Sequence, residues 1–343
     1  MSTALDARII YLMFYPYTPP VVPKDGVVHP LQPSQNQRTP YFLNLDIELV
    51  ELEQSEIQLS GQSVLIRRQL IDEQIICVEC AYRLNDILAA DGNERKQLIQ
   101  TQLHEKILRE AESRGPFFEE YCIVCISSVH NAPDAFIDTH RHRLAALLRN
   151  LRRPVSDTDV EQILVSRAHY TDRDVTLVDW EGALIIDPDQ DFQSDVDLIK
   201  IGNYELLRYR LLDRAIERNL QAVRTALESK RKFNFFNNLL REALQQRLEL
   251  LLNFEKTEQL LLLIGDWYSA QLYRIIVDEF YIDDWKATVK SKLDQLETIT
   301  DIIRDNFTLS WEQTLDMVQL FGWLILLAGY FVLFYLDVVA AAK

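Results

Sequence analysis

Two cysteine pairs, Cys77-Val-Glu-Cys80 and Cys122-Ile-Val-Cys125, have the spacing that holds zinc through thiolates. A tight turn is needed to bring both sulfurs of such a pair onto one ion. The flanks here, IICVECAYRL and YCIVCISSV, read as strands. Residues i and i+3 of a strand point to opposite faces, so the thiols of each pair diverge. Two readings result: small apolar residues in adjacent core strands, or a tetrathiolate zinc site. The strand flanks favour the first, and whether the pairs hold metal is unknown from sequence alone. A thioredoxin-like dithiol is disfavoured because no helix N-terminus follows either pair.

Histidines are densest at Asp138-Thr-His140-Arg-His142, with His130 nearby. On a helix Asp138 and His142 share a face and His140 points away, so the cluster reads as a surface or capping feature. No HExxH pattern occurs. Arg141, Arg143, Arg149, Arg152 and Arg153 follow closely, a basic patch that pairs with the protein's own carboxylates or holds a phosphate. Glycine is scarce, with nine in all, and neither GxGxxG, GxxxxGK[ST] nor GxSxG is present. These observations select no catalytic and no cofactor-binding residue, so the expected protein is non-enzymatic with no cofactor.

The elements that would position these residues follow from patterning. The 343-residue chain has 48% hydrophobic residues, enough for a sizeable core, and a formal net charge of −16 that argues against nucleic acid as partner. Residues 1–40 read as an extended Pro-rich arm; the apolar run Ile9–Tyr15 ends at Pro16 and lacks the features of a signal peptide. Strands are expected at Tyr41–Leu52, Val64–Leu70, Gln74–Leu84 and Tyr121–Val129. Asn93–Glu112, with Leu98, Leu103, Ile107, Leu108 and Ala111 on one stripe, reads as a helix stopped by Gly115-Pro116. Asp134–Leu151 reads as a second helix, ending before Pro154. Asp179-Trp-Glu-Gly182 joins Asp174–Val178 and Ala183–Ile186 in a hairpin. Residues 41–193 thus form a mixed α/β domain.

No proline occurs after Ser194, and 194–316 is helical in pattern. Tyr209, Leu212, Ile216, Leu220, Val223 and Leu227 form one stripe, and Leu240, Leu244, Leu248 and Leu251 a second. Val289, Leu293, Leu296, Thr300, Ile303 and Phe307 form a short heptad seam. Such stripes bury against one another in a bundle or against other protomers in a stalk.

Leu320 to Leu336 reads LFGWLILLAGYFVLFYL without a charge, and 317–340 is long enough to cross about 30 Å of hydrocarbon. Trp323, Tyr330 and Tyr335 are available as interfacial aromatics, while Asp337 needs the far headgroup boundary. Gly322 and Gly329 do not form a small-xxx-small motif. The expected arrangement is tail-anchored, with the bulk of the chain cytoplasmic.

The order VTLVDWEGALIID, then LIKIGNYELLRYRLLDRAIE from Leu198 to Glu217, then helices and a final span resembles uncharacterised bacterial single-span membrane proteins. More distantly it resembles the Rmd-type family associated with mitochondrial translation and sporulation. Gly265-Asp-Trp-Tyr268, Tyr281-Ile-Asp-Asp-Trp285 and Trp311-Glu312 stand where that family has aromatic-acidic stretches. The resemblance implies an oligomeric membrane-anchored scaffold or tether without enzymatic activity, in a bacterial inner membrane. The architecture is also similar to CorA-type magnesium transporters, although Leu336-Asp-Val338 stands where their Gly-Met-Asn signature belongs. That likeness implies divalent-ion conduction or sensing with one span per protomer, and acidic residues such as Asp266, Asp283 and Asp284 as sensors. The sequence therefore leads to an α+β fold with one C-terminal transmembrane helix. The expected partners are a lipid bilayer at Leu320–Leu336, further copies through the helices and an unidentified protein, but not nucleic acid.

Overall fold

A computed structural model describes residues 5–17, 49–112, 117–127, 129, 132–151, 155–228, 248, 252 and 267–341. Eight strands form one sheet: β1 (Ala7–Pro16), β2 (Leu49–Leu59), β3 (Gln62–Ile71), β4 (Ile75–Leu84), β5 (Glu119–Ile126), β6 (Arg167–Ala168), β7 (Val175–Val178) and β8 (Gly182–Ile186). The helices are α1 (Gly92–Glu112), α2 (Pro133–Leu148), α3 (Asp157–Ile163), α4 (Gln193–Glu228), α5 (Trp267–Glu279) and α6 (Ile282–Ala341). The expected α+β class, mixed sheet first and helices after, is the observed one.

Strand order is β2-β3-β4-β1-β5-β8-β7-β6. Every pairing is antiparallel except β5 with β8. The β2–β3 hairpin turns at Ser60 and Gly61, both at positive φ (48° and 77°), the backbone of a two-residue primed turn. The DWEG hairpin forms as expected, with Val178 opposite Ala183.

β1 corrects the extended-arm expectation for residues 1–40. Its run IIYLMFY lies at the centre of the sheet, buried on both faces. Such strands read as continuous hydrophobic stretches without alternation, which hides them. Residues 18–40 of that arm lie outside the described residues, as do 41–48 of the first expected strand.

One face of the sheet, carrying Tyr11, Cys80, Cys122 and Leu184, packs with α1, α2 and α3 in one apolar cluster. The other face, carrying Glu79, Tyr121 and Thr176, meets α4 and α5. A sheet buried on both faces needs two helical layers, so the α/β fold does not stop at residue 193. The described residues divide into two compact units, one within 1–215 and 250–289 and one within 216–249 and 290–343. The earlier half of α4 and all of α5 belong to the first.

In the second unit Ile216, Leu293 and Leu296 are buried, and Lys292 Nζ donates to Glu217 Oε1 at 2.9 Å. Those residues of the expected stripes are therefore buried within one chain. Of the stripe from Leu240 to Leu251 only Leu248 is described, and it is exposed. The side chains of Val223, Leu227, Thr300, Ile303 and Phe307 lie outside the described residues. α6 is helical throughout Ile282–Ala341. Its window Asp316–Leu333 has a mean hydropathy of 1.7, and none of it is buried.

Candidate functional site

A cavity of about 710 Å³ in the first unit opens where β5 begins and the β7–β8 turn ends. Gln97, Gln100, Thr101 and His104 reach it from α1, at the i, i+3, i+4, i+7 spacing that puts side chains on one helix face. β5 contributes Glu119 and Glu120, the hairpin turn Trp180 and Glu181, and α4 Arg210. Its volume is within the range of small-molecule sites.

Polar groups in the wall are linked. Tyr11 donates its hydroxyl to Glu120 Oε2 at 2.6 Å, and the same oxygen lies 2.9 Å from His104 Nδ1. Burial pushes the Tyr11 phenol up, with the Glu120 charge acting the same way, so it stays a proton donor. Arg210 Nη1 donates to Glu119 Oε1 at 2.5 Å, and its guanidinium lies 6.0 Å from the Trp180 ring and 5.6 Å from Trp285. Burial pushes Glu119 up to about 7 even against the pull of that guanidinium.

The turn beside the cavity is held by a fork. Arg149 Nε and Nη2 donate to the two Asp179 carboxylate oxygens at 3.0 and 2.7 Å, while Tyr121 donates its hydroxyl to the Asp179 carbonyl at 2.7 Å. Behind the wall, Lys96 is wholly buried; its ammonium donates to the Leu147 carbonyl and lies 3.9 Å from Cys122 Sγ. Burial pulls the Lys96 ammonium down, and Cys122 opposes that. Gln100 is 6% exposed and lies against the Cys122 thiol, yet neither of its amide atoms has a nitrogen or oxygen partner.

A second cavity, about 300 Å³, is walled by aspartates that the fold already uses. Asp174 accepts from the Tyr170 and Thr171 amides, Asp187 from those of Asp189 and Asp191, and Asp195 from the Thr176 and Tyr268 hydroxyls. Among the described residues no group of three or more His, Cys, Asp or Glu side chains is placed to hold a metal ion.

The residues singled out by spacing fall elsewhere. Cys77, Cys80, Cys122 and Cys125 are free, buried thiols in β4 and β5. Tyr11 pairs with both Cys80 and Cys122, Phe14 with Cys77 and Arg8 with Cys125, so each CxxC pair splits between the faces. Asp138 faces Arg167 at 3.6 Å and His142 faces Asp157 at 3.1 Å, both at the surface. The His140 ring lies 4.8 Å from that of Phe136, tilted by 55°, at a kink of α2. Arg141 meets Glu161 at 3.5 Å, and Arg143 donates to the Leu88 carbonyl. His130, Arg152, Arg153 and Asp266 lie outside the described residues. Asp283 and Asp284 are exposed in the first turn of α6, where the helix dipole favours carboxylates.

Cavity residues carry no motif, and one helix stripe concealed them. Leu98 is 53% exposed, while Lys96 and Gln100 are buried beside Ile99, Leu103 and Ile107. Two buried polar residues standing next to an outward leucine is the one local sign in the sequence.

Residues 32–193 match the family described as "Uncharacterized protein MJ0711, N-terminal domain". Over 222 residues the chain is 28% identical to "Uncharacterized protein MJ0711" of Methanocaldococcus jannaschii, covering 63% of this chain and 69% of that protein. No solved structure matches. The likeness is to an uncharacterised family. Neither match is to the Rmd-type family, to CorA-type transporters or to a bacterial protein.

Proposed function

We propose that this protein is a membrane-anchored, non-enzymatic scaffold or tether whose α/β unit works in the aqueous phase. The observation that carries the reading is the apolar window of α6. Trp323, Ile325, Leu326 and Leu333 are each at least 67% exposed, and no described side chain covers them. From Leu320 to Ala341 the helix measures roughly 33 Å at about 1.5 Å per residue, matching a hydrocarbon core of about 30 Å. Water is a poor solvent for such a surface, at about 25 cal/mol for each Å² exposed. The non-enzymatic part is supported by how the candidate nucleophiles are used. All four thiols are buried and pushed up by burial.

The full chain is expected to stay in the membrane fraction through alkaline extraction and to leave it only in detergent. Leu326→Arg together with Leu327→Arg costs about 5–7 kcal/mol of insertion and releases it. Wild-type protein remaining in the aqueous supernatant overturns the anchor. Mass measurement in detergent tests self-assembly, and a monomer at all concentrations removes that part. Protease protection in sealed vesicles tests the cytoplasmic placement.

A second reading, one span per protomer in an ion-conducting oligomer, is favoured by the length of α6, which is a single helix from Ile282 through the apolar window. Divalent-ion flux in liposomes carrying the purified chain supports it; no flux above protein-free vesicles removes it.

A further inference from the structure

We infer that Glu119 operates a proton-sensitive clasp where α6 begins. Protonated, it lets the β7–β8 turn and the opening turn of α6 close over it; ionised, it loosens them. The inference rests on the first unit alone and not on how the chain meets a membrane.

Geometry comes first. The Glu119 side chain is only 11% exposed, and Arg210 reaches its Oε1 from α4. The same guanidinium lies over two rings, Trp180 of the β7–β8 turn and Trp285 of the opening turn of α6. Trp180 also packs on the corner between α5 and α6, its ring 6.2 Å from that of Phe280 and 5.7 Å from that of Tyr281. Tyr281 has a φ of 51°, a conformation costly for a bulky residue and kept only where surrounding contacts impose it. One buried carboxylate and one guanidinium thus join a strand, a hairpin turn and the start of a helix, all within the first unit.

The carboxylate is the member that titrates, because a guanidinium keeps its charge. Burial is the largest influence on Glu119, and the neighbouring Glu120 acts the same way, so Arg210 offsets only part of the lost hydration. Glu79, held below its usual range by Lys200, shows the contrary behaviour of a pair whose attraction outweighs its burial. The other charges around the clasp are largely engaged. Glu120 serves Tyr11 of β1 and His104 of α1, Asp179 is held by Arg149, and Glu279 of α5 accepts from the Ser166 hydroxyl. Glu181, next to Trp180, is itself raised by burial. Asp213 and Arg214, one turn beyond Arg210, have partners, as does Lys286 of α6, while Asp283 and Asp284 are exposed. A carboxyl raised when covered and ordinary when hydrated binds its proton more tightly in the closed clasp. The closed form is therefore favoured in acid and loses ground as pH rises from the ordinary carboxylate range towards 7. Above that both forms are ionised and the balance stops changing.

The test follows hydrogen exchange of the full chain in detergent by mass spectrometry between roughly pH 5 and 8. Each rate is divided by that of an unstructured amide at the same pH, and peptides covering 178–183 and 280–289 report the clasp. Protection of both should fall as pH rises towards 7, by up to about tenfold per pH unit for the one proton released, and then level off. Glu119→Gln, uncharged throughout, should keep both peptides at their acid level with no slope. Arg210→Met removes the counter-charge, so the fall should continue to higher pH than in the wild type. Asp195→Asn, at the second cavity, should leave the slope in place; its loss there means that global unfolding is being read and overturns the clasp. A flat wild-type profile, a slope that survives Glu119→Gln, or an unmoved plateau in Arg210→Met also overturns it. If either clasp variant fails to fold by circular dichroism, Glu119→Leu or Arg210→Gln takes its place with the same expectation.

Discussion

Lys200 of α4 forms an ion pair with Glu79 of β4 in the middle of the structure, their side chains only 6% and 2% exposed. Arg67 stands 3.7 Å from Glu79, and Asp197 stands 3.6 Å from Lys200. Burial works against the Glu79 charge, but Lys200 and then Arg67 outweigh it and hold the carboxyl below its usual range. Removing one partner strands the other, so Glu79→Gln or Lys200→Met should each cost about 3–5 kcal/mol. The pair Glu79→Leu with Lys200→Met should cost much less than the sum, because no charge of the central pair remains unmatched. Denaturant unfolding of the full chain in detergent gives the coupling. Since Glu79 is depressed in the folded state, its stabilisation is complete above the ordinary carboxylate range and lost as pH falls through its lower folded value. The acid side of the wild-type stability profile should therefore be steeper than that of Glu79→Gln.

Asp195 behaves in the opposite sense. Burial pushes it up to about 6, with the Thr176, Tyr268 and Ser194 hydroxyls pulling back. Between roughly pH 4 and 6 the folded protein holds a proton that the unfolded chain has released, so stability falls as pH rises through that window. A shift of this size is worth about 3 kcal/mol. Asp195→Asn should flatten the decline, and Tyr268→Phe, which deletes the 2.8 Å bond to Asp195 Oδ2, should deepen it. Thermal unfolding across pH 4 to 7 distinguishes the three proteins.

What patterning reveals and what it hides divide along burial. β3, β4 and β5 announce themselves because apolar residues cluster between turn signals, and the DWEG turn fixes the β7–β8 hairpin. β1 does not, because a strand buried on both faces has no polar side to alternate with. The cavity was invisible for a related reason. Tyr11, Gln100, His104 and Glu120 come from a strand, a helix and a second strand, and only the sheet order β1-β5 under α1 brings them together. The cysteine spacing pointed at chemistry, yet strand geometry had already turned the sulfurs apart. Boundaries failed where long-range packing decides them: α4 looks like the start of a helical domain but its first half covers the sheet.

Gly202 of α4 faces Ile276 of α5 and Phe280 just after it. A Cβ there would lie 2.3 Å from Ile276 Cγ2 and 3.1 Å from the Phe280 ring. Alanine favours a helix over glycine by about 1 kcal/mol, but overpacking a tight contact costs about 1–3 kcal/mol. The packing effect should win, so Gly202→Ala lowers stability. Adding Ile276→Ala, which removes the crowding methyl groups, should make the glycine substitution neutral or favourable in that background. A double-mutant cycle by chemical unfolding decides it.

The four thiols offer the sharpest test of the central sheet. Cys80 and Cys122 both lie opposite Tyr11, on the two strands flanking it. Strands two positions apart are separated by about 9–10 Å, whereas sulfurs sharing one zinc at about 2.3 Å each are at most about 4.6 Å apart. Cys77 and Cys125 lie on the other face. Burial pushes Cys77 and Cys80 up to about 12 and raises Cys122 and Cys125 as well. At pH 8 the native protein should therefore react with an aromatic disulfide reagent only as fast as it unfolds, and in denaturant all four thiols should react. Zinc chelation should leave the melting temperature unchanged. Rapid native labelling, or a fall in melting temperature on chelation, would show that β4 and β5 do not flank β1 in this register.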